Sequence, residues 1–256
     1  MSVKGELSQE NAFAQWQNRI ICADNLAFLK SLPDECIDMV CTSPPYNFGK
    51  SYSDTNDALD WSVYFEQLFA VLDECVRVLK DGGRMAINIM PSNAQQMPTH
   101  HRITDYLMQK GLLWKAEIIW NKNHHNCPVT LGSWASPSSP YIKYTHEFVE
   151  VFCKGTNKKK GDRTNIDITS NEYIEWTRSV WNITPETHMK HWQHPAMFPK
   201  PLVQRILKLF SYQGDTILDP YNGVGTTTVV AQELKRQFIG VDISESYCET
   251  ARKRLA

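Results

Sequence analysis

Residues 214–242 constrain the fold more than any other stretch. Gly214-Asp215-Thr216-Ile217-Leu218-Asp219 reads as a short buried strand. Pro220-Tyr221-Asn222-Gly223-Val224-Gly225-Thr226-Thr227 follows as a tight glycine turn that opens a helix over 226–236. Phe238-Ile239-Gly240-Val241-Asp242 is the next strand. Together these make a βαβ unit, which needs a parallel sheet with helices on its faces. A carboxylate at Asp242 can accept both hydroxyls of a ribose, and the helix start offers free N–H groups to an anion. A dinucleotide-binding Gly-x-Gly-x-x-Gly pattern would need a glycine at position 228, where the chain has Thr228.

A second stretch carries chemistry of another kind. The apolar run Ile37-Asp38-Met39-Val40-Cys41 reads as a buried strand and leads into Thr42-Ser43-Pro44-Pro45-Tyr46-Asn47. The two prolines end the strand, because neither donates to a ladder and both fix φ near −65°. A rigid bend, free carbonyls, the small acceptor Ser43 and the flat ring of Tyr46 suit a planar base that bears an amine. The ring stacks on the base while the oxygens accept the amine protons. Asn47 to Asp54, with Gly49 and Lys50, reads as a polar loop that closes over substrate.

The remaining elements extend the α/β pattern. Residues 1–18 are polar, with Phe13 and Trp16, and form a helix or an arm against the body. Arg19–Cys22 is a strand, and Asp24 stands at its carboxyl end, where open α/β sheets bind ligands. An N-cap role for Asp24 on the helix Leu26–Leu32 is compatible with that. Residues 61–79 carry an apolar stripe at helical spacing, stopped by Lys80-Asp81-Gly82-Gly83. Arg84–Met90 is a strand, 91–101 a loop, Ile103–Lys110 a helix and Leu112–Trp120 a strand. His146–Cys153 is a further strand and 202–210 a helix.

With 42% hydrophobic and 21% charged residues the chain has the content of an ordinary globular protein. Its net charge of −1 means that a polyanion must be held by a local basic patch. No long apolar run or signal pattern is visible, which points to a cytoplasmic protein without a membrane span. The seven cysteines contain no Cys-x-x-Cys pair and read as reduced core thiols. The paired histidines lack metal-ligand spacing, so no metal is expected. From Asn121 the character changes. Lys122 and His124 lie in a polar run, and Lys154, Lys158, Lys159, Lys160 and Arg163 form a basic cluster followed by Trp176, Trp181 and Trp192. Basic side chains among aromatics suit phosphate contact and base stacking, although a solvated loop is the plainer reading of the lysine run.

The motifs fit one family. Ser43-Pro44-Pro45-Tyr46 resembles the (Asp/Asn/Ser)-Pro-Pro-(Tyr/Phe/Trp) signature of amino-methyltransferases of DNA. Asp219-Pro220-Tyr221-x-Gly223-x-Gly225-Thr226-Thr227 resembles the S-adenosylmethionine motif Asp-Pro-Phe-x-Gly-x-Gly-Thr-Thr, with Tyr for Phe. His194-Pro195-Ala196 to Lys200 resembles the family's His-Pro motif, Arg77–Gly83 its Arg-Val-Leu-Lys-Pro-Gly-Gly, and Thr145-His146-Glu147 before a strand is also a family habit. The catalytic motif precedes the cofactor motif, which is the order of the β group. The chain is thereby similar to a restriction-modification methyltransferase.

The resemblance implies an α/β fold: a doubly wound, mostly parallel sheet of the Rossmann-like class I methyltransferase type, permuted, in one domain over 1–256. A target-recognition segment would be inserted at about 121–192. S-adenosylmethionine would be the cofactor, held by Asp24, Thr42, His194, Phe198, Lys200, Asp219, Tyr221, Asn222, Gly223, Gly225, Thr226 and Asp242. Ser43, Pro44, Pro45 and Tyr46 would act on the base. Lys50, Lys122, His124, Lys154, Lys158, Lys159, Lys160 and Arg163 would contact double-stranded DNA. A homodimer and a cognate restriction endonuclease are the further partners that such a protein can have. The amine would attack the sulfonium methyl in line, with no cysteine nucleophile, Ser43 and the Pro44 carbonyl orienting the nitrogen. Serine at the first motif position is the usual cytosine-N4 form; adenine N6 is the alternative, and a nicotinamide oxidoreductase or a non-catalytic DNA-binding module the remoter ones.

Overall fold

The burial pattern of the strands dictates two helical layers. Ile37 and Val40 of β2 (Ile37–Thr42) face one apolar cluster, whereas Met39 and Cys41 face the other. Met85 and Ile87 against Ala86 in β3 (Leu79–Ile89), and Leu218 against Ile217 in β7 (Thr216–Asp219), repeat the alternation. Strands apolar on both faces must be covered on both, as in a doubly wound sheet. The computed structural model describes residues 13–49, 57–92, 97–122, 132–140, 142, 144–187, 192 and 197–256.

The sheet has eight strands in the order β1-β8-β7-β2-β3-β5-β4-β6. The others are β1 (Arg19–Cys22), β4 (Leu113–Asn121), β5 (His146–Cys153), β6 (Val180–Asn182) and β8 (Gln237–Asp242). All pairings are parallel except the two made by β5, which runs antiparallel between β3 and β4. One face is covered by α1 (Asn25–Ser31), α2 (Trp61–Val78) and α3 (Thr99–Gln109), through Leu29, Leu72, Ile103 and Leu107. The opposite face is covered by α5 (Lys200–Phe210), α6 (Thr226–Glu233) and α7 (Glu245–Leu255), through Leu202, Ile206, Val230 and Ala251. Trp176, at the end of α4 (Ser170–Trp176), packs against this second layer.

Chain direction locates the site. From β7 the chain crosses to β8 on one side; from β2 it crosses to β3 on the other. The carboxyl ends of β7 and β2 therefore flank a topological switch point, where open α/β sheets leave a crevice for ligands.

Several elements match the expectations, including β1 and β5 residue for residue. Others differ for visible reasons. β3 starts at Leu79, paired with Ile37, then bulges through Gly82 at φ 74° and resumes at Arg84 opposite Met39, so the expected turn lies inside the strand. α3 begins at Thr99, four residues ahead of the expected start at Ile103, because Thr99 and His100 are buried and Thr99 Oγ1 donates to the Met90 carbonyl at 2.8 Å. Phe13 and Trp16 pack on the core, Trp16 edge-on to Phe28. The part of the middle segment at 154–182 rejoins the main sheet through β6, which pairs with β4. Among the described residues no helix is long and apolar enough to cross a membrane.

Gly240 shows how sheet and crevice are coupled. A Cβ there would meet the Asn222 side chain at 2.6 Å. Asn222 is buried and shapes the glycine turn, so Gly240→Ala is expected to cost about 1–3 kcal/mol in denaturant unfolding. An unchanged midpoint would contradict this packing.

Candidate active site

Two loops meet at the crevice. The first is the glycine turn after β7. Gly223 and Gly225 take φ of 49° and 83°, the left-handed region that favours glycine. Asn222 N–H donates to the Val241 carbonyl at 3.0 Å, and Thr228 Oγ1 to Asn222 Oδ1 at 3.1 Å. Gly223 N–H donates to Asp242 Oδ2 at 2.7 Å and Ser244 N–H to Asp242 Oδ1 at 3.0 Å. Both carboxylate oxygens of Asp242 thus face the backbone of the turn and of the α7 approach. Asp24 caps α1, accepting from Ala27 N–H at 2.8 Å, and it follows the strand that pairs with the one ending at Asp242.

The second loop follows β2. Thr42 Oγ1 donates to Asp219 Oδ1 at 2.7 Å, joining the end of β2 to the end of β7. Both residues are buried. Pro45 presents its carbonyl to the Tyr64 hydroxyl at 2.7 Å, which anchors the proline bend to α2. Ser43 Oγ lies 3.1 Å from the Tyr46 hydroxyl. Tyr46 donates to Glu147 Oε2 at 2.7 Å, and its ring meets Phe48 edge-on. The stem beyond is fixed. Asp57 accepts Asn47 N–H and Phe48 N–H at 2.8 and 3.1 Å, and Asn47 exchanges side-chain bonds with the Leu59 backbone. Residues 50–54 of the expected closing loop, Lys50 among them, lie outside the described residues, as do His124 and His194.

Asn88 and Glu147 belong to the site although no motif named them as such. Asn88 is the polar residue near the end of the apolar strand β3, and Glu147 the carboxylate at the start of β5. Asn88 Nδ2 donates to the Tyr46 hydroxyl at 2.7 Å and to Glu147 Oε2 at 2.5 Å. Lys122 Nζ pairs with Glu147 Oε1 and sits 5.2 Å from the Trp120 ring centre. A polar interruption in an otherwise buried strand is the signal that could have found both.

A narrow recess lies between β2, β3 and α5, lined by Thr42, Cys41, Asn88, Phe198 and Leu202. Asn88 Oδ1 is buried and has no hydrogen-bond partner among the described residues. An orphaned acceptor costs about 1–3 kcal/mol unless a ligand N–H meets it. Burial pushes the Cys41 thiol well above its ordinary range, so it stays protonated and is no nucleophile. Burial also pushes the Asp219 carboxyl up to about 6, against the bonds from Thr227, Thr42 and Tyr221 N–H that favour the ion.

Other expected site residues lie elsewhere or serve the framework. Tyr221 packs its ring against the first core cluster, beside α1 and α2. Thr226, at the start of α6, is buried, 3.5 Å from Arg254 Nη1. Lys200 donates to Glu233 at 2.6 Å in an exposed ion pair, which occupies its ammonium. The basic cluster is not brought to the crevice. Lys159 pairs with Asp38 and Asp215 at 3.7 and 3.2 Å, and Lys154 donates to the Leu79 carbonyl at 2.6 Å. Those partners stand at or beside the amino-terminal ends of β2, β7 and β3, about 20 Å along the strands from Ser43. The Lys158 carbonyl lies by Gly82 at the bulge near the start of β3, and Lys160 and Arg163 belong to the same stretch of chain. The charge run marks the opposite sheet edge, where Lys154 and Lys159 neutralise strand-start carboxylates and cap carbonyls.

The family assignment rests on comparison as well as geometry. Residues 37–253 match the family model of the N6/N4 DNA methylases, and the chain belongs to that family. It is 29% identical over 250 residues to the type II methyltransferase M.HpaI of Haemophilus parainfluenzae, covering 93% of this chain and 74% of that one. It is also 29% identical over 256 residues to the DNA adenine methyltransferase YhdJ of Escherichia coli, covering 95% and 84%. Among solved structures, a DNA modification methylase of Thermus thermophilus in complex with S-adenosyl-L-methionine superposes with a TM-score of 0.74 at 25% identity, over 93% of each chain. The cytosine-N4-specific PvuII DNA methyltransferase shares the fold, with a TM-score of 0.68 at 21% identity over 93% and 86%.

The raised Asp219 carboxyl has a thermodynamic sign. Its folded pKa lies above the unfolded value of about 3.9, so the neutral acid is the form that folding favours. That contribution is complete below about pH 3.9 and is lost as pH rises through about 6. Asp219→Asn keeps an acceptor for Thr42 and Tyr221, so its melting temperature at pH 8 should exceed that of wild type, with the gap closing near pH 4. A lower melting temperature at pH 8 would show that the ionised form is the better partner.

Proposed function

We propose that this protein moves a methyl group from S-adenosylmethionine to the exocyclic amine of a base flipped out of double-stranded DNA, with cytosine N4 as the target. The observation that carries the reading is the junction of the two loops. Ser43 and Asp242 follow or end strands separated only by β7, which is about 10 Å at the usual strand spacing. Thr42 and Asp219 tie the end of β2 to the end of β7, the first of those two steps, with one hydrogen bond.

The residues present suit such a cofactor. Asp242 offers carboxylate acceptors to ribose hydroxyls, the glycine turn brings backbone N–H groups close, and the buried Asp219 and orphaned Asn88 Oδ1 are acceptors for an ammonium or amine. Bound S-adenosylmethionine supplies an electrophilic methyl on a sulfonium. The chain supplies orientation. Ser43 Oγ and the Pro44 carbonyl accept the amine protons and aim the nitrogen lone pair, which lowers the barrier by positioning and electrostatics. Tyr46 provides the stacking face. A base–aromatic stack is worth about 1–3 kcal/mol, comparable with the few kcal/mol that flipping costs.

Serine at position 43 favours cytosine N4 over adenine N6 by resemblance to the family pattern. Target recognition is assigned to residues 121–192, of which 121–122, 132–140, 142, 144–187 and 192 are described. Digesting DNA from cells that express the chain and weighing its nucleosides is expected to show N4-methylcytosine; N6-methyladenine in its place would reassign the base.

Tyr46→Ala should lower turnover on duplex DNA at least tenfold, and unchanged turnover would remove the stacking role. Asp242→Ala should raise the cofactor dissociation constant in calorimetry while circular dichroism stays that of the wild type. Wild-type affinity would take Asp242 out of the site.

A further inference from the structure

We propose that Glu147 is the terminal proton acceptor of methyl transfer, reached from the target amine through Ser43 and Tyr46. This rests on the methyltransferase reading above. Neutralising the methylated amine requires that a proton leave the nitrogen, and Ser43 is no practical base near neutral pH. A path for that proton is laid out in the site. Ser43 Oγ lies 3.1 Å from the Tyr46 hydroxyl, which lies 2.7 Å from Glu147 Oε2. Glu147 is 6% exposed.

The polarity of this chain follows from donor counting. An ionised carboxylate only accepts, so the Asn88 amide must turn its nitrogen to Glu147; the same nitrogen donates to the Tyr46 oxygen at 2.7 Å. The Tyr46 proton is committed to Glu147, since the competing Asn88 carbonyl is 3.4 Å away. The second lone pair of the Tyr46 oxygen faces the Ser43 proton. Ser43 Oγ then keeps its acceptor capacity for the amine. The bonds along Ser43, Tyr46 and Glu147 then run one way, towards the carboxylate.

Atoms and charges balance across the step. The amine nitrogen forms its bond to the methyl carbon as the sulfur–methyl bond breaks, its pair remaining on sulfur. One amine proton passes to Ser43 Oγ, the Ser43 proton to Tyr46 and the Tyr46 proton to Glu147 Oε2. The products are a neutral methylated amine, a neutral thioether and a protonated Glu147, which later returns the proton to solvent. The groups brought to Glu147 among the described residues are Lys122 from just beyond β4, Tyr46 from the loop after β2 and the neutral Asn88 from β3. Lys122 balances the carboxylate charge in the resting site.

Tyr46→Phe keeps the stacking ring and cuts the chain; Glu147→Gln keeps the shape and removes the acceptor. Single-turnover rates on duplex DNA are measured across pH, with dissociation constants for DNA and cofactor. Each variant is expected to lose at least tenfold in rate at near-constant dissociation constants, and the double variant no more than either alone, because one path is cut twice. The rate profile of Glu147→Gln across pH should differ in shape from that of the wild type. If Glu147→Gln fails to fold, Tyr46→Phe alone decides by the same readouts. Wild-type rates and pH profile in the variants, or losses that follow weaker DNA binding, overturn the relay. A wild-type protein that methylates no DNA overturns the parent reading as well.

Discussion

One hydrogen bond, from Thr42 Oγ1 to Asp219 Oδ1, joins the two halves of the site across 177 residues of chain. It is made between fully buried groups, where an unmet partner would cost about 1–3 kcal/mol. β2 and β7 are therefore held in a register that puts the proline bend beside the glycine turn. Everything chemical follows from that adjacency. The helices set the same constraint from outside: Tyr64 of α2 ties down the Pro45 carbonyl, and Asn25 of α1 donates to the Pro220 carbonyl at 3.0 Å.

The antiparallel strand β5 has a functional consequence. A strand that runs against its neighbours begins where they end, so Glu147 starts at the carboxyl edge beside the ends of β3 and β4. No parallel strand could place its first residues there. Asn88, Tyr46 and Lys122 converge on Glu147 for that reason, and the middle of the chain contributes to the same edge as its two ends.

Much of this was legible because strong local signals and the fold agree. The prolines at 44 and 45 stop β2, and the glycines at 223 and 225 supply the positive φ that the turn requires. β5 was legible as an apolar run between polar stretches. The charge run at 158–160 misled, because charge does not reveal which sheet edge it caps; Lys159 serves Asp38 and Asp215 at strand starts. Asn88 was hidden because one polar residue in a buried strand has no periodic signature, and Glu147 was legible only as part of Thr145-His146-Glu147, without a role. Helix α7 was hidden as well, since its buried side is only Tyr247, Cys248 and Ala251 among charged residues.

The most direct test is a crystal structure of the protein with a non-reactive amine analogue of the cofactor. The account predicts that the analogue's ribose hydroxyls meet Asp242 and that its amine, in place of the sulfonium, faces Ser43 across the Thr42–Asp219 bridge. An analogue bound away from that bridge, with Ser43 and Asp242 both bare, would contradict it.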